Sequence, residues 1–230
     1  MTKNDVVIFD LDDTLYKEET FLISAYREIS SLIVSNFHCS TFPKEVFDFM
    51  LGKYRKGENA FNETIKHYGL SVKIEVLISL YRNHVPTENG KSTIHLVNGA
   101  EDCLKSLRTC GCHLGLLTDG RVVSQMNKIR ALGLLDYFTC ENILISEAFG
   151  SEKPDVRNFE FFMHKYPENT YMYVGDDLNK DFVAPNKLGW NSVCIEDSIG
   201  VNIHKQRDIR LIDASKKPSV FSRFEDWRNW

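Results

Sequence analysis

The sequence predicts an α/β fold, a doubly wound, mostly parallel sheet, with an α-helical domain inserted after the first strand. Three observations predict it. Short apolar runs alternate with segments of helical periodicity, and parallel neighbours in a sheet need such crossovers. The first run, Val6-Val7-Ile8-Phe9, is apolar at every position, as a strand buried on both faces must be. Between residues 18 and 93, by contrast, apolar residues recur at steps of three and four. The expected division is therefore an α/β core of residues 1–17 and 94–230 and a helical domain of residues 18–93.

The first strand breaks off in Asp10-Leu11-Asp12-Asp13-Thr14. From Thr20 to about His38, the residues Leu22, Tyr26, Ile29, Ile33 and Phe37 make one apolar helix face. Pro43 suits the first turn of a second helix, which runs through Val46 and Met50 and ends before Gly52. Phe61, Ile65 and Tyr68 mark a third helix, ending at Gly69. Val72, Val76, Leu80 and Tyr81 mark a fourth, closed near Pro86. No strand alternation interrupts this region. Leu51 to Gly57, carrying Lys53, Arg55 and Lys56, reads as a solvated loop between helices, with contact to a second anionic group as the alternative. The polar stretch Glu88 to Thr93, together with Gly99, is a candidate hinge.

After Gly99 the texture becomes α/β. Ala100 to Thr109 reads as a helix, Leu114 to Thr118 as a strand, and Val122 to Leu132 as a helix stopped by Gly133. Asn142 to Ile145 is a strand, Phe159 to Tyr166 a helix, and Tyr171 to Val174 a strand ending in Gly175-Asp176-Asp177. A short helix lies between Asp181 and Leu188, with Pro185 arguing for a late start or a bend. Ser192 to Ile195 is the fifth strand. The last thirty residues are irregular, with Ser219-Val220-Phe221 as a small edge strand and Glu225 to Trp230 as a terminal helical turn.

Composition narrows the function classes. A net charge of -4 gives no electrostatic footprint for nucleic acid. No apolar run is long enough to span a bilayer, and Met1 to Asp5 carries no signal-peptide pattern, so a cytoplasmic location is expected. The six cysteines and seven histidines show no zinc-ligand spacing.

The chemistry sits at the strand ends. Two carboxylates ~4 Å apart repel by roughly 4 kcal/mol at an effective dielectric of ~20. The Asp10–Asp13 cluster thus calls for a cation or bound protons, as in a Mg²⁺ site with a nucleophilic carboxylate; a solvated turn is the alternative. Asp10, Thr118, Lys153 and Asp176 each follow an apolar run or lie in the loop beyond one. In a parallel sheet those ends meet on one edge, where ligands gather.

The ordered pieces Asp10-Leu11-Asp12-Asp13-Thr14, Thr118-Asp119-Gly120, Lys153-Pro154 and Gly175-Asp176-Asp177, continued to Asp181, carry a resemblance. With them the chain resembles the haloacid dehalogenase (HAD) superfamily, in its phosphatase branch with a helical cap after the first strand. The resemblance covers the chain apart from its last thirty residues. It implies a Rossmann-like core and a Mg²⁺-dependent phosphomonoester hydrolase working through an aspartyl-phosphate. The substrate would be a small phosphorylated metabolite, and the tract from Leu117 to Gly150 looks most like members acting on nucleoside monophosphates or sugar phosphates.

By the same resemblance Asp10 is the nucleophile, and the metal is held by the Asp10 and Asp176 side chains with the Asp12 backbone carbonyl. Asp12 is the general acid and base, which requires its proton to be held at neutral pH by burial under a closed cap. Thr118, Asp119 and Lys153 hold the substrate phosphate, and Lys153 also steadies Asp10. Asp177 and Asp181 orient metal-bound waters. Asp13 is structural, and Arg121 is near enough in sequence to touch substrate. The second aspartate favours a phosphatase over a dehalogenase, since a halide leaving group needs no acid. A phosphotransferase or phosphomutase of sugar phosphates, or a non-catalytic binding protein, is the alternative. Oligomeric state is left open.

Overall fold

The protein is described by a computed structural model that covers residues 3–37, 39–197, 200–203, 206 and 212–230. It divides into two compact units, Met1–Glu19 with His95–Trp230, and Thr20–Ile94. In chain order, β1 (Val6–Phe9) is followed by α1 (Glu18–Asn36), α2 (Pro43–Arg55), α3 (Ala60–Tyr68) and α4 (Ile74–Asn83). Then come β2 (Thr87–Glu88), β3 (Lys91–Ser92), α5 (Ala100–Thr109), β4 (His113–Thr118), α6 (Val122–Ala131), β5 (Ile143–Ile145) and α7 (Ser146–Phe149). The chain finishes with α8 (Arg157–Lys165), β6 (Tyr171–Gly175), α9 (Val183–Leu188), β7 (Asn191–Ile195) and β8 (Val220–Ser222). Among the described residues no helix is long and apolar enough to cross a membrane.

Strand β1 is central because it can be: all four of its residues are buried, so neither face needs water. The sheet has six strands in the order β5-β4-β1-β6-β7-β8, and every pairing is parallel. The expected mostly parallel, helix-wound sheet is therefore present, parallel throughout. Val6 registers with His113 on one side and Tyr171 on the other, which sets the strand ends level. Phe159, Phe162, Tyr173, Phe182 and Trp190 fill one core against the sheet. Gly115 permits this packing, since a Cβ there would stand 2.6 Å from both Ile8 Cδ1 and the Phe162 ring.

The helical unit has its own core of Leu22, Tyr26, Ile29, Ile33, Val46, Met50 and Leu77. Its helices start and stop by local chemistry. The Asn59 side chain accepts from the Asn62 N–H at 3.0 Å to begin α3, and Gly69 ends it in a left-handed conformation.

Several expectations are corrected here. Gly52 does not stop α2, which continues to Arg55, because one glycine in a helix costs only ~1 kcal/mol. Lys53 and Arg55 are thus helical rather than in a loop, and Lys53 Nζ pairs with Glu58 at 2.6 Å and Glu63 at 3.3 Å. The region also holds a small antiparallel hairpin, β2 with β3, turning at Asn89-Gly90 with φ of 51° and 76°. An Asn-Gly pair is the signal for such a turn, but the flanking strands, two residues each, are too short to show alternation. The expected helix end at His38 lies outside the described residues.

Gly99 is locked in place. It has φ +81°, and a Cβ would stand 2.8 Å from Glu225 N and from the Phe224 carbonyl carbon. Both obstacles are backbone and cannot swing away. Gly99→Ala is expected to destabilise the fold by about 2 kcal/mol or more. Thermal unfolding would show it; an unchanged Tm would mean that the C-terminal turn yields freely.

Candidate active site

Phe9 registers with Leu116 in β4 and with Val174 in β6, so these strands end side by side. The residues just beyond, Asp10, Thr118 and Asp176, consequently meet at one edge. The backbone N–H of Asp10 donates to the Val174 carbonyl at 2.8 Å, which carries the sheet ladder up to the reactive position. Lys153 arrives from the loop after α7, through a cis bond to Pro154. A cavity of about 120 Å³ is lined there by Asp10, Asp12, Thr118, Asp119, Asp176 and Lys180, among others.

Lys153 is the electrostatic centre. Its Nζ lies 2.6 Å from Asp10 Oδ1 and 2.8 Å from Asp181 Oδ1, and it donates to the Tyr173 hydroxyl at 3.1 Å. Burial favours the neutral amine, but Asp10 and Asp181 outweigh it and hold the ammonium charged. Asp181 in turn accepts from the backbone N–H groups of Asp176 and Asp177 at 3.0 and 2.9 Å. Burial pushes the Asp181 carboxyl up, yet Lys153 and these bonds bring it below the usual range. Gly175 makes room for this: a Cβ there would stand 2.5 Å from Asp181 Oδ2.

Asp10, Asp176 and Asp181 each offer a carboxylate oxygen within 4.8 Å of the others, and all three are buried. Burial raises the Asp10 carboxyl to about 7, with Lys153 opposing and Asp181 adding to the rise. Burial likewise lifts Asp176 well above the carboxylate range, with Asp181 and Asp10 adding repulsion. Asp176 Oδ2 also accepts from the Asn202 amide at 2.9 Å. Three buried acids around one ammonium leave an excess of negative charge, with oxygen donors only. That donor set fits a hard divalent cation.

The Asp12 side chain stands outside this cluster. It accepts from Lys128 Nζ at 2.7 Å, from Gln125 Nε2 at 2.7 Å and from the Tyr16 hydroxyl. Burial pushes its carboxyl up, but Lys128 and the three donors together bring it below the usual value. In this arrangement burial alone does not hold a proton on Asp12, whose surroundings favour the carboxylate. The Thr118 hydroxyl accepts from the same Gln125 amide at 2.6 Å.

The remaining expected residues divide. Asp119 accepts from the Lys153 backbone N–H and from Lys180 Nζ, both at 3.1 Å, and so braces the lysine loop. Asp177 turns to its own loop, accepting from the Asn179 N–H at 2.9 Å. Asp13, at φ +56°, accepts from the N–H groups of Glu18 at 3.0 Å and Ile203 at 2.6 Å, tying two loops together. Arg121 pairs with Glu147 at 2.6 Å. Gln125, Lys128, Glu18, Lys180 and Asn202 were missed by sequence reasoning. Gln125 and Lys128 do share a helix face by spacing, which could have flagged them.

Two outcomes follow from this electrostatics. Gly175→Ala would push Asp181 away and is expected to lower turnover by at least ~10-fold, with a loss of about 1–3 kcal/mol in stability. Turnover at the wild-type level would mean that Asp181 can shift without harm. Asp10 binds its proton more tightly folded, at about 7, than unfolded, at 3.8. Between those values the folded state carries more protons, so the group's contribution makes the cation-free protein lose stability as pH rises through that window. A divalent cation bound at the cluster would take the place of those protons. The Tm gain on adding Mg²⁺ should therefore be larger at about pH 8 than at about pH 5. Equal gains at both would contradict the arrangement.

The chain is similar to several known proteins. The sequence pattern of the haloacid dehalogenase-like hydrolases matches residues 7–195. A glyceraldehyde 3-phosphate phosphatase of Methanocaldococcus jannaschii is 28% identical, over 82% of this chain and 83% of its own length. A ribulose-1,5-bisphosphate 5-phosphatase of Halopiger xanaduensis is 30% identical over 45% of this chain and 43% of its own. Among solved structures, the HAD hydrolase YfnB from Bacillus subtilis, bound to magnesium, superposes with a TM-score of 0.68 at 19% identity, covering 99% of this chain and 98% of that one. A HAD phosphatase from Thermococcus onnurineus gives a TM-score of 0.59 at 19% identity, covering 98% and 96%. With its parallel sheet, its four ordered pieces and this match, the chain belongs to the haloacid dehalogenase-like hydrolases.

Proposed function

We propose that this chain is a Mg²⁺-dependent phosphatase of small phosphorylated sugars, working through an aspartyl-phosphate on Asp10. One observation carries the reading: Asp10, on the central strand, lies 2.6 Å from a buried lysine, with Asp176 and Asp181 inside the same cluster. The names of the relatives support the substrate class, since the glyceraldehyde 3-phosphate phosphatases span most of the chain. Triose and sugar phosphates are accordingly preferred to nucleoside monophosphates.

The side chains of Asp10 and Asp176 and the backbone carbonyl of Asp12 would hold the cation. Bound there, it supplies positive charge against the repulsion between a carboxylate and a phosphate. Asp10 attacks phosphorus in its ionised form, which the Lys153 ammonium favours. Lys153 faces the transferred group as a point charge, while the Thr118 hydroxyl and the Asp119 backbone N–H hold a phosphoryl oxygen. Asp181 keeps Lys153 in place, and Asp177 shapes the loop behind Asp176.

Asp12 has two tasks. In the second half of the cycle it takes a proton from the water that attacks the aspartyl-phosphate, and its ionised state suits that step. In the first half it must donate a proton to the leaving oxygen. The negative charge of an arriving phosphate ester raises its affinity for that proton. The helical unit Thr20–Ile94 corresponds to the cap domain expected in this family.

Asp10→Asn is expected to lower kcat by at least ~10³-fold on a panel of triose, sugar and nucleoside phosphates, with Mg²⁺ present. Wild-type turnover should vanish with chelator and return with Mg²⁺. Undiminished phosphate release by the variant would end the proposal, and transfer of the phosphoryl group to a sugar instead of water would make the enzyme a mutase.

A further inference from the structure

Helix α6 buries two long polar side chains. Gln125 and Lys128 are three residues apart on one face and are only 2% and 4% exposed. Long polar side chains are rarely so buried unless partnered, and burying an ammonium is costly. Apolar residues at both positions would avoid that cost. Their partners explain the choice. Lys128 Nζ and Gln125 Nε2 each reach Asp12 at 2.7 Å, one to each carboxylate oxygen. The Tyr16 hydroxyl donates to the oxygen that Lys128 holds. Glu18 lies 3.6 Å from Lys128 Nζ, so the ammonium is held between two acids.

We propose that Gln125, Lys128 and Tyr16 form a clamp that positions the Asp12 carboxyl for leaving-group chemistry. The clamp deepens the phosphatase reading and rests on it. With both oxygens held, the carboxylate is confined to one orientation, which is where the rate advantage of an acid–base group comes from. Gln125 does more than hold Asp12. Its amide also reaches Thr118 Oγ1 at 2.6 Å and the Asp119 carbonyl at 3.1 Å. A single helix face thereby sets the distance between the acid–base group and the hydroxyl expected to hold the phosphate. Neither Gln125 nor Lys128 is a catalytic residue in this scheme; both act through Asp12 and Thr118.

The test uses leaving groups. Values of kcat/KM report the steps up to formation of the aspartyl-phosphate, where Asp12 acts as the acid. An alkyl ester such as glycerol phosphate needs that acid, whereas the p-nitrophenolate of p-nitrophenyl phosphate departs with little help. K128M and Q125L are each expected to lose on the order of 10²-fold on the alkyl ester and less than about 5-fold on the aryl ester. K128R should recover part of the loss. In a D12N background, K128M should cost little more, because the clamp then has no acid to position. Equal losses on both esters, or a full additional loss in the D12N background, would overturn the proposal. Should the wild-type chain hydrolyse no ester, the phosphatase reading fails by itself. A crystal structure of K128M then decides the clamp: an Asp12 carboxylate that leaves its place supports it, and one that stays put sinks it.

Discussion

One buried ammonium holds this site together. Lys153 Nζ lies within 2.8 Å of two carboxylates that would otherwise repel each other in a medium of low dielectric. Removing one partner of such a set leaves an uncompensated buried charge, which costs far more than the pair contributes. The surrounding backbone is arranged accordingly. Two N–H groups at the end of β6 satisfy Asp181, a glycine opens the space for it, and Asp119 secures the lysine's own backbone.

The charges are left unbalanced around Asp10 and Asp176. Asp10 and Asp176 are raised because burial and mutual repulsion exceed what Lys153 supplies. A site in that condition accepts protons or a cation, and either one settles it. Asp12 has the opposite setting, because Lys128 and two further donors overcome its burial. Two neighbouring acids on one loop thus differ in protonation, one suited to meet a cation and the other to handle protons. The division arises from different helices and strands reaching the two side chains.

Much of the fold was legible because its signals are local. Val6–Phe9 is apolar throughout, and such a run has few homes outside a doubly covered sheet. Helix α5 begins and ends where the spacing of Cys103, Leu104 and Leu107 places it. The misreadings also have local causes. Gly52 was given the weight of a stop although its helix had neighbours to pack on, and the Asn89-Gly90 turn was hidden by strands of two residues each. At the site, Asp10, Thr118, Lys153 and Asp176 stood out because each follows or lies beyond an apolar run. Gln125 and Lys128 did not: their spacing puts them on one helix face, but a polar face reads as solvated until its neighbours are known.

The sequence by itself determined the long strands, most helices and the order of the polar pieces, because periodicity and turn chemistry act between residues close along the chain. It also determined that carboxylates, a threonine and a lysine would stand at strand ends. Only the tertiary structure decided which acids share Lys153, and that Asp12 faces Lys128 from 116 positions away. Charge state was settled at that level too. A carboxyl's proton affinity depends on its burial and on the charges within a few ångströms, and neither quantity exists until distant segments meet.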